Sequence, residues 1–150
     1  LMKKNTIYVD ADACPVKEEI MEIAGRSEFR LVFVASYASY SADREADWVF
    51  VDQKKEEADL YIVNHAIPGD FVITQDMGLA GLLTGRGVFV LTNRGSIIYE
   101  RDISEILHRR YLSYKSLAAG KKLKGPKPFT DEERKKFSAA LTKLLCHLDH

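Results

Sequence analysis

Four aspartates carry the chemical interest of this 150-residue chain. The stretch "IYVDADACPVKEEI", Ile7 to Ile20, delivers Asp10 and Asp12 at the end of a short apolar run, just ahead of a helix-like segment. "DFVITQDMGLA" places Asp76 at the corresponding end of a second apolar run, and Asp59 lies three residues before Ile62 on the helix leading into that run. Carboxylates gathered at one rim repel one another and raise each other's pKa unless a cation neutralises them. Oxygen-only ligands suit hard divalent ions, Mg²⁺ or Mn²⁺, which keep open positions for water and phosphate oxygens. The chemistry such a site supports is metal-assisted phosphodiester hydrolysis. Three of these acids also have a plainer role open to them: Asp12 as a turn or N-cap residue, Asp76 as the cap of the helix that follows and Asp59 as a solvated helix residue; Asp70, after Pro68-Gly69, reads as a turn residue. Other chemistries find less support. Cys14 has no His near it in sequence, no G-x-S-x-G occurs, and "GLAGLLTGRG" lacks both the P-loop ending and the dinucleotide fingerprint.

Five apolar runs of strand length position these acids: Ile7–Val9, Leu31–Ala35, Trp48–Val51, Phe71–Thr74 and Val88–Leu91. Most show little alternation, as strands covered on both faces do, and helical stretches separate them. The expected architecture is a single α/β domain with a mostly parallel sheet of about five strands, helices on both faces and additional C-terminal helices. In such a sheet, ligands bind beyond the carboxyl ends of the strands. The first helix is expected from near Pro15 to Gly25, with Val16, Ile20, Ile23 and Ala24 as its buried stripe. The second runs from about Lys54 to Ala66, and a short third covers Gly78 to Leu83. After the turn at Arg94-Gly95 comes a short strand, Ile97–Tyr99, then a helix from Asp102, its N-cap, to about Ala118. "SYASYSAD", Ser36 to Asp43, reads as a surface loop flanking the site. The Lys-, Gly- and Pro-rich stretch Gly120 to Phe129 reads as a mobile basic loop. A capping-box pattern at Thr130 to Glu133 opens the last helix, whose apolar face is Phe137, Leu141, Leu144, Leu145 and Leu148.

The zero net charge hides an asymmetry. Residues 1–100 carry 10 Lys and Arg against 16 Asp and Glu, while residues 101–150 carry 12 against 6. A basic tail of this kind can meet nucleic-acid phosphates, with Arg109, Arg110, Lys121, Lys122 and Lys124 as contacts and Arg94 as a further one. It can equally be a solvated pair of helices packing on an acidic body, with Arg94 pairing with a surface acid. Tyr37 and Tyr40 are candidates to stack on bases or to pack on their own domain. Two cysteines far apart give no disulfide framework, no stretch approaches the ~20 apolar residues of a membrane span, and the N-terminus does not read as a signal peptide. A cytoplasmic protein is expected; Leu1 ahead of Met2 reads as a start-codon artefact.

The segments "IYVDADACPVKEEI", "ADLYIV…PGDFVITQDMGLA", "LTNRG" and "GPKPFTDEERKKF" closely resemble the YaiI/YqxD family of uncharacterised bacterial proteins, over about residues 6 to 145. By analogy that family is placed with the PIN-like nucleases, whose pattern is an Asp ending the first strand, an "Asp-x-x-Ile" helix and "Gly-x-x-x-hydrophobic-Thr-x-Asp". Here the matching residues look like Asp10, then Asp59 to Ile62, then Gly69 to Asp76. The resemblance implies a single PIN-like domain over 1–150, Asp10, Asp59 and Asp76 as catalytic Mg²⁺ or Mn²⁺ ligands, and Thr74 as a supporting hydroxyl. Asp12 has no clear PIN counterpart, so its role as a metal ligand or as a residue orienting Asp10 stays open. The further acid that PIN nucleases carry is not placed. The leading functional expectation is a metal-dependent nuclease or phosphodiesterase acting on RNA. The alternatives are a non-catalytic RNA-binding or ribosome-associated module and a small-molecule phosphate hydrolase.

Overall fold

The apolar runs form strands because alternate residues of each one enter two different cores. In the computed structural model, which describes residues 5–12, 14–36, 46–52, 56–118, 120 and 129–148, the first strand, β1 (Thr6–Asp10), sends Ile7 and Val9 to one face and Tyr8 to the other. Strands β2 (Arg30–Ala35) and β4 (Phe71–Ile73) divide in the same way, with Phe33, Phe71 and Ile73 on the first face and Val32, Val34 and Val72 on the second. A run that is apolar throughout is therefore required, since both faces of the sheet are covered.

The sheet has six strands in the order β3-β2-β1-β4-β5-β6, parallel except for the last. β3 is Asp47–Phe50, β5 is Phe89–Leu91 and β6 is the two-residue edge Ile97–Ile98. Helix α1 (Lys17–Gly25) carries the chain from β1 to β2, and α2 (Glu57–His65) returns it from β3 to β4 on the other side of β1. Strand order thus reverses between β1 and β4, and the crevice at their carboxyl ends is where an open α/β sheet binds ligands.

α1 and the last helix, α5 (Asp131–Leu148), cover the first face; α2 and α3 (Met77–Thr84) cover the second, and α4 (Glu100–Ala118) lies against α3. The expected stripe of α1 is buried in full, Val16 included, although the helix proper starts only at Lys17. α5 opens on the expected capping box: the Glu133 N–H donates to Thr130 Oγ1 (3.1 Å) and the Thr130 hydroxyl donates to Glu133 Oε1 (3.3 Å). Phe137, Leu141 and Leu145 then insert against α1 and the sheet.

One cap differs from expectation. α4 begins at Glu100, and Asp102 sits in its first turn, where Oδ2 accepts the N–H of Tyr99 (3.3 Å). Asp102 is therefore the acid that reaches back to the residue before the helix, and it is not the N-cap itself. No described helix is long and apolar enough to cross a membrane.

Candidate active site

Strand register builds the site from its centre. Val9 pairs with Ile73, so the next residues, Asp10 and Thr74, leave the sheet side by side at the switch point. The Thr74 side chain is buried, and its hydroxyl donates to Asp10 Oδ2 at 3.1 Å. Thr74 Oγ1 also accepts the Asp76 N–H at 3.0 Å. One hydroxyl therefore fixes the first carboxylate and aims the backbone that carries the third. Asp76 is also the N-cap of α3, its Oδ1 accepting the Leu79 N–H at 3.0 Å. The plain capping role and the place at the rim are both real, because the cap engages Oδ1 while the carboxylate still faces Asp59.

Asp59, in the first turn of α2, hydrogen-bonds to Asp76 through its side chain, and its pKa is pushed up to about 7. Burial is the largest cause, followed by that hydrogen bond and by the negative charges of Asp76, Asp10 and Glu56. Asp10 is also raised, first by burial and then by Asp12 and Asp76, against the lowering effect of the Thr74 hydrogen bond. The charges that push these two carboxyls up are all negative, which is the signature expected of acids gathered at one rim. Glu56, immediately before α2, belongs to this field. Its signal in the sequence was its position three residues before Asp59, one helical turn away.

Asp12 ties two strand ends. It is exposed, and its carboxylate accepts the Ser36 N–H (3.2 and 3.3 Å) and the Ser36 hydroxyl (3.2 Å), tying the end of β1 to the end of β2. Asp70 is buried at the opposite, amino end of the central strands, where it accepts the N–H groups of Thr6 (2.9 Å) and Ile67 (3.0 Å), as a turn residue does. Cys14, also buried, donates from Sγ to Asn93 Oδ1 at 3.8 Å; Asn93 in turn donates its N–H to Gln75 Oε1 at 2.8 Å. This polar brace across the ends of β1, β4 and β5 had no motif to announce it.

The basic residues divide differently. Arg94 pairs with Glu133 and lies over the Phe129 ring, with Arg134 near the same ring, so it clamps the start of α5. Gly95 beside it has φ +85°, and a Cβ there would come within 3.0 to 3.1 Å of the α5 backbone at Lys136 and Phe137. Arg109 is exposed on α4 and pairs with Glu105. Arg110 lies on the same helix. Tyr37, Tyr40, Lys121, Lys122 and Lys124 lie outside the described residues, as does most of the expected basic loop.

Among the described residues, no group of three or more His, Cys, Asp or Glu side chains is gathered to hold a metal ion by itself. The geometry instead offers the Asp59 and Asp76 pair with Asp10 in its field. That donor set still suits Mg²⁺ or Mn²⁺, which are commonly held by one or two carboxylates together with water and substrate phosphate.

A sequence profile of the family described as "Uncharacterized BCR, YaiI/YqxD family" matches residues 8–147. The chain is 50% identical over 145 residues to a UPF0178 protein of Bacillus velezensis, spanning 95% of this chain and 86% of that one. It is 47% identical over 139 residues to one of Bacillus cytotoxicus (93% and 91%), and 44% identical over 140 residues to one of Listeria monocytogenes (93% and 96%). No solved structure matches the chain.

Proposed function

The chain belongs to the YaiI/YqxD family of uncharacterised bacterial proteins, and for it we propose a metal-dependent phosphodiesterase that acts on RNA, with its active site at the carboxyl ends of β1 and β4. The observation that carries this reading is the Asp59 and Asp76 pair at the switch point with Asp10 in its field, burial and mutual repulsion raising Asp59 to about 7. A chain keeps such a cluster at a cost in stability, and a divalent cation is the partner that offsets it.

Bound Mg²⁺ or Mn²⁺ supplies a more acidic water and charge stabilisation at an attacked phosphate. The protein's own residues have distinct tasks. Asp76 and Asp59 face one another as the principal oxygen donors, and Asp59 can hold a proton at its carboxyl near neutral pH. Asp10 is oriented by the Thr74 hydroxyl, which also sets the Asp76 backbone. Asp12 holds Ser36, joining the carboxyl ends of β1 and β2 beside the rim.

The test is cleavage of a labelled single-stranded RNA with Mn²⁺ or with a chelator, by the wild type and by Asp10→Asn and Asp76→Asn. Cleavage by the wild type alone, and only with metal, is the expected result. RNA that is bound but never cut overturns the catalytic reading. Hydrolysis of a small phosphodiester with RNA left intact overturns the RNA assignment.

A further inference from the structure

The rim has two sides, and the acids use one of them. Asp76 faces Asp59, and Asp59 belongs to α2, which covers the second core. The brace of Cys14, Asn93 and Gln75 opens on the other side, because Cys14 packs in the first core with α1 and α5. The two sides are close. Leu91 pairs with Ile73, so Asn93 stands level with Gln75, one residue beyond the Thr74 that holds Asp10. Burial pushes the Cys14 thiol up, while the charge of Lys17 lowers it and that of Asp10 raises it, so both charges lie within electrostatic reach of Cys14.

Cys14 also lines an open cavity of about 400 Å³ with Pro15, Lys17, Glu18, Glu19 and Arg134. Its two acids and two bases cancel, so it has no excess charge with which to capture a bare phosphate. Arg134 donates to Glu19 Oε1 (3.1 Å) and to the Pro15 carbonyl (2.6 Å), whereas Lys17 pairs with no carboxylate among the described residues. Asn93 is only 8% exposed. Its Oδ1 accepts from Cys14 and its backbone N–H donates to Gln75, but its Nδ2 has no partner among the described residues. Glu19 Oε2 is the one buried side-chain oxygen or nitrogen without a partner among them, so Asn93 Nδ2 keeps contact with solvent. A side chain held this firmly, with one donor left over, is fixed in advance for a ligand.

We propose that this side of the rim is the subsite for the nucleotide next to the phosphate held at the acids, with Asn93 Nδ2 donating to its ribose or base and Lys17 meeting the next phosphate along the chain. The inference rests on the reading of RNA as the substrate, and adds that the substrate is an oligonucleotide long enough to cross from the α2 side to the α1 side. A neutral cavity fits an uncharged nucleoside, and the one unpaired cation fits the phosphate attached to it.

Fluorescence anisotropy of a labelled single-stranded RNA octamer tests this, with Ca²⁺ in place of Mn²⁺ so that bound RNA stays intact. Asn93→Leu is expected to weaken binding about fivefold with its salt dependence unchanged, since a neutral contact is lost. Lys17→Gln is expected to lower the slope of log affinity against log salt by about 0.7, the value of one single-strand phosphate contact. It does not touch the brace, so the subsite stays testable if Asn93→Leu disturbs the fold. Mn²⁺ titration calorimetry and circular dichroism of both variants are expected to match the wild type. An Asn93→Leu effect confined to RNA and absent on DNA of the same sequence assigns the contact to the 2′-hydroxyl, and an equal effect on both assigns it to the base. Variants that bind RNA as tightly as the wild type, with the same salt slope, overturn the subsite and leave the catalytic reading standing. RNA bound through Asn93 and Lys17 but never cut in Mn²⁺ overturns the catalytic reading and leaves the subsite standing.

Discussion

Thr74→Val keeps the shape of a buried side chain and removes its hydroxyl. That hydroxyl donates to Asp10 Oδ2 and accepts the Asp76 N–H, at 3.1 and 3.0 Å. A hydrogen bond to a charged group contributes about 1.5–3 kcal/mol and a neutral one about 0.5–1.5 kcal/mol. The added methyl returns roughly 1 kcal/mol through burial. The net loss is about 1–3 kcal/mol, which lowers a urea midpoint by roughly 0.5–1.5 M for a slope near 2 kcal/mol/M. Stability alone does not distinguish this from a packing defect, so the sharper readout is the Asp10 carboxyl followed by carbon-13 NMR titration. The Thr74 hydrogen bond lowers the Asp10 pKa against the effect of burial, so Thr74→Val raises it further while Thr74→Ser leaves it in place. An Asp10 titration unchanged in Thr74→Val, or shifted equally by Thr74→Ser, refutes the role given to this hydroxyl.

Asp59 gives a pH dependence with a definite sign. Its folded pKa of about 7 exceeds the ordinary aspartate value of 3.8, so the folded state binds the proton more tightly. Its stabilising contribution is complete below about 3.8 and is lost as pH rises to about 7. Thermal denaturation of the metal-free protein should therefore lose stability across that window, and Asp59→Asn should flatten the profile; a profile as steep in the variant contradicts the assignment. Gly95→Ala is expected to destabilise by about 2–4 kcal/mol, since it forces both a positive φ and a close approach to α5, and chemical denaturation with a midpoint close to the wild type's would contradict this. Phe137→Ala, at a fully buried position, is expected to cost about 3–5 kcal/mol in the same assay; a loss below about 1 kcal/mol, the scale of a surface substitution, would show that α5 is not anchored there.

The sheet was legible because Ile7–Val9, Leu31–Ala35 and Phe71–Thr74 lack alternation, and an unbroken apolar run has few other uses in a chain of this size. Asp10 and Thr74 were legible as strand-end residues, but their hydrogen bond depends on the β1 and β4 register, which no local pattern encodes. Arg94 shows the converse. In a turn it fitted a phosphate contact and a pairing with an acid equally well, and it takes the second: Glu133 and Phe129 hold it from 39 and 35 positions further along the chain. Asp102 was misplaced by one turn because an acid at the third helical position and an N-cap aspartate look alike in sequence. Glu56 was overlooked although it lies one helical turn before Asp59, whereas the Cys14, Asn93 and Gln75 brace was missed because only the folded chain brings it to the rim.

Mn²⁺ titration calorimetry just above pH 7 tests the proposed divalent cation site of Asp10, Asp59 and Asp76 most directly. Asn caps a helix as well as Asp does, so Asp76→Asn keeps the α3 cap while losing a charge. The expected result is Mn²⁺ binding by the wild type with proton release from Asp59, detected as a dependence of the heat on buffer, and binding weakened by roughly tenfold or more in Asp59→Asn and Asp76→Asn. A wild type that takes up no Mn²⁺, or variants that bind it equally well, would contradict the site.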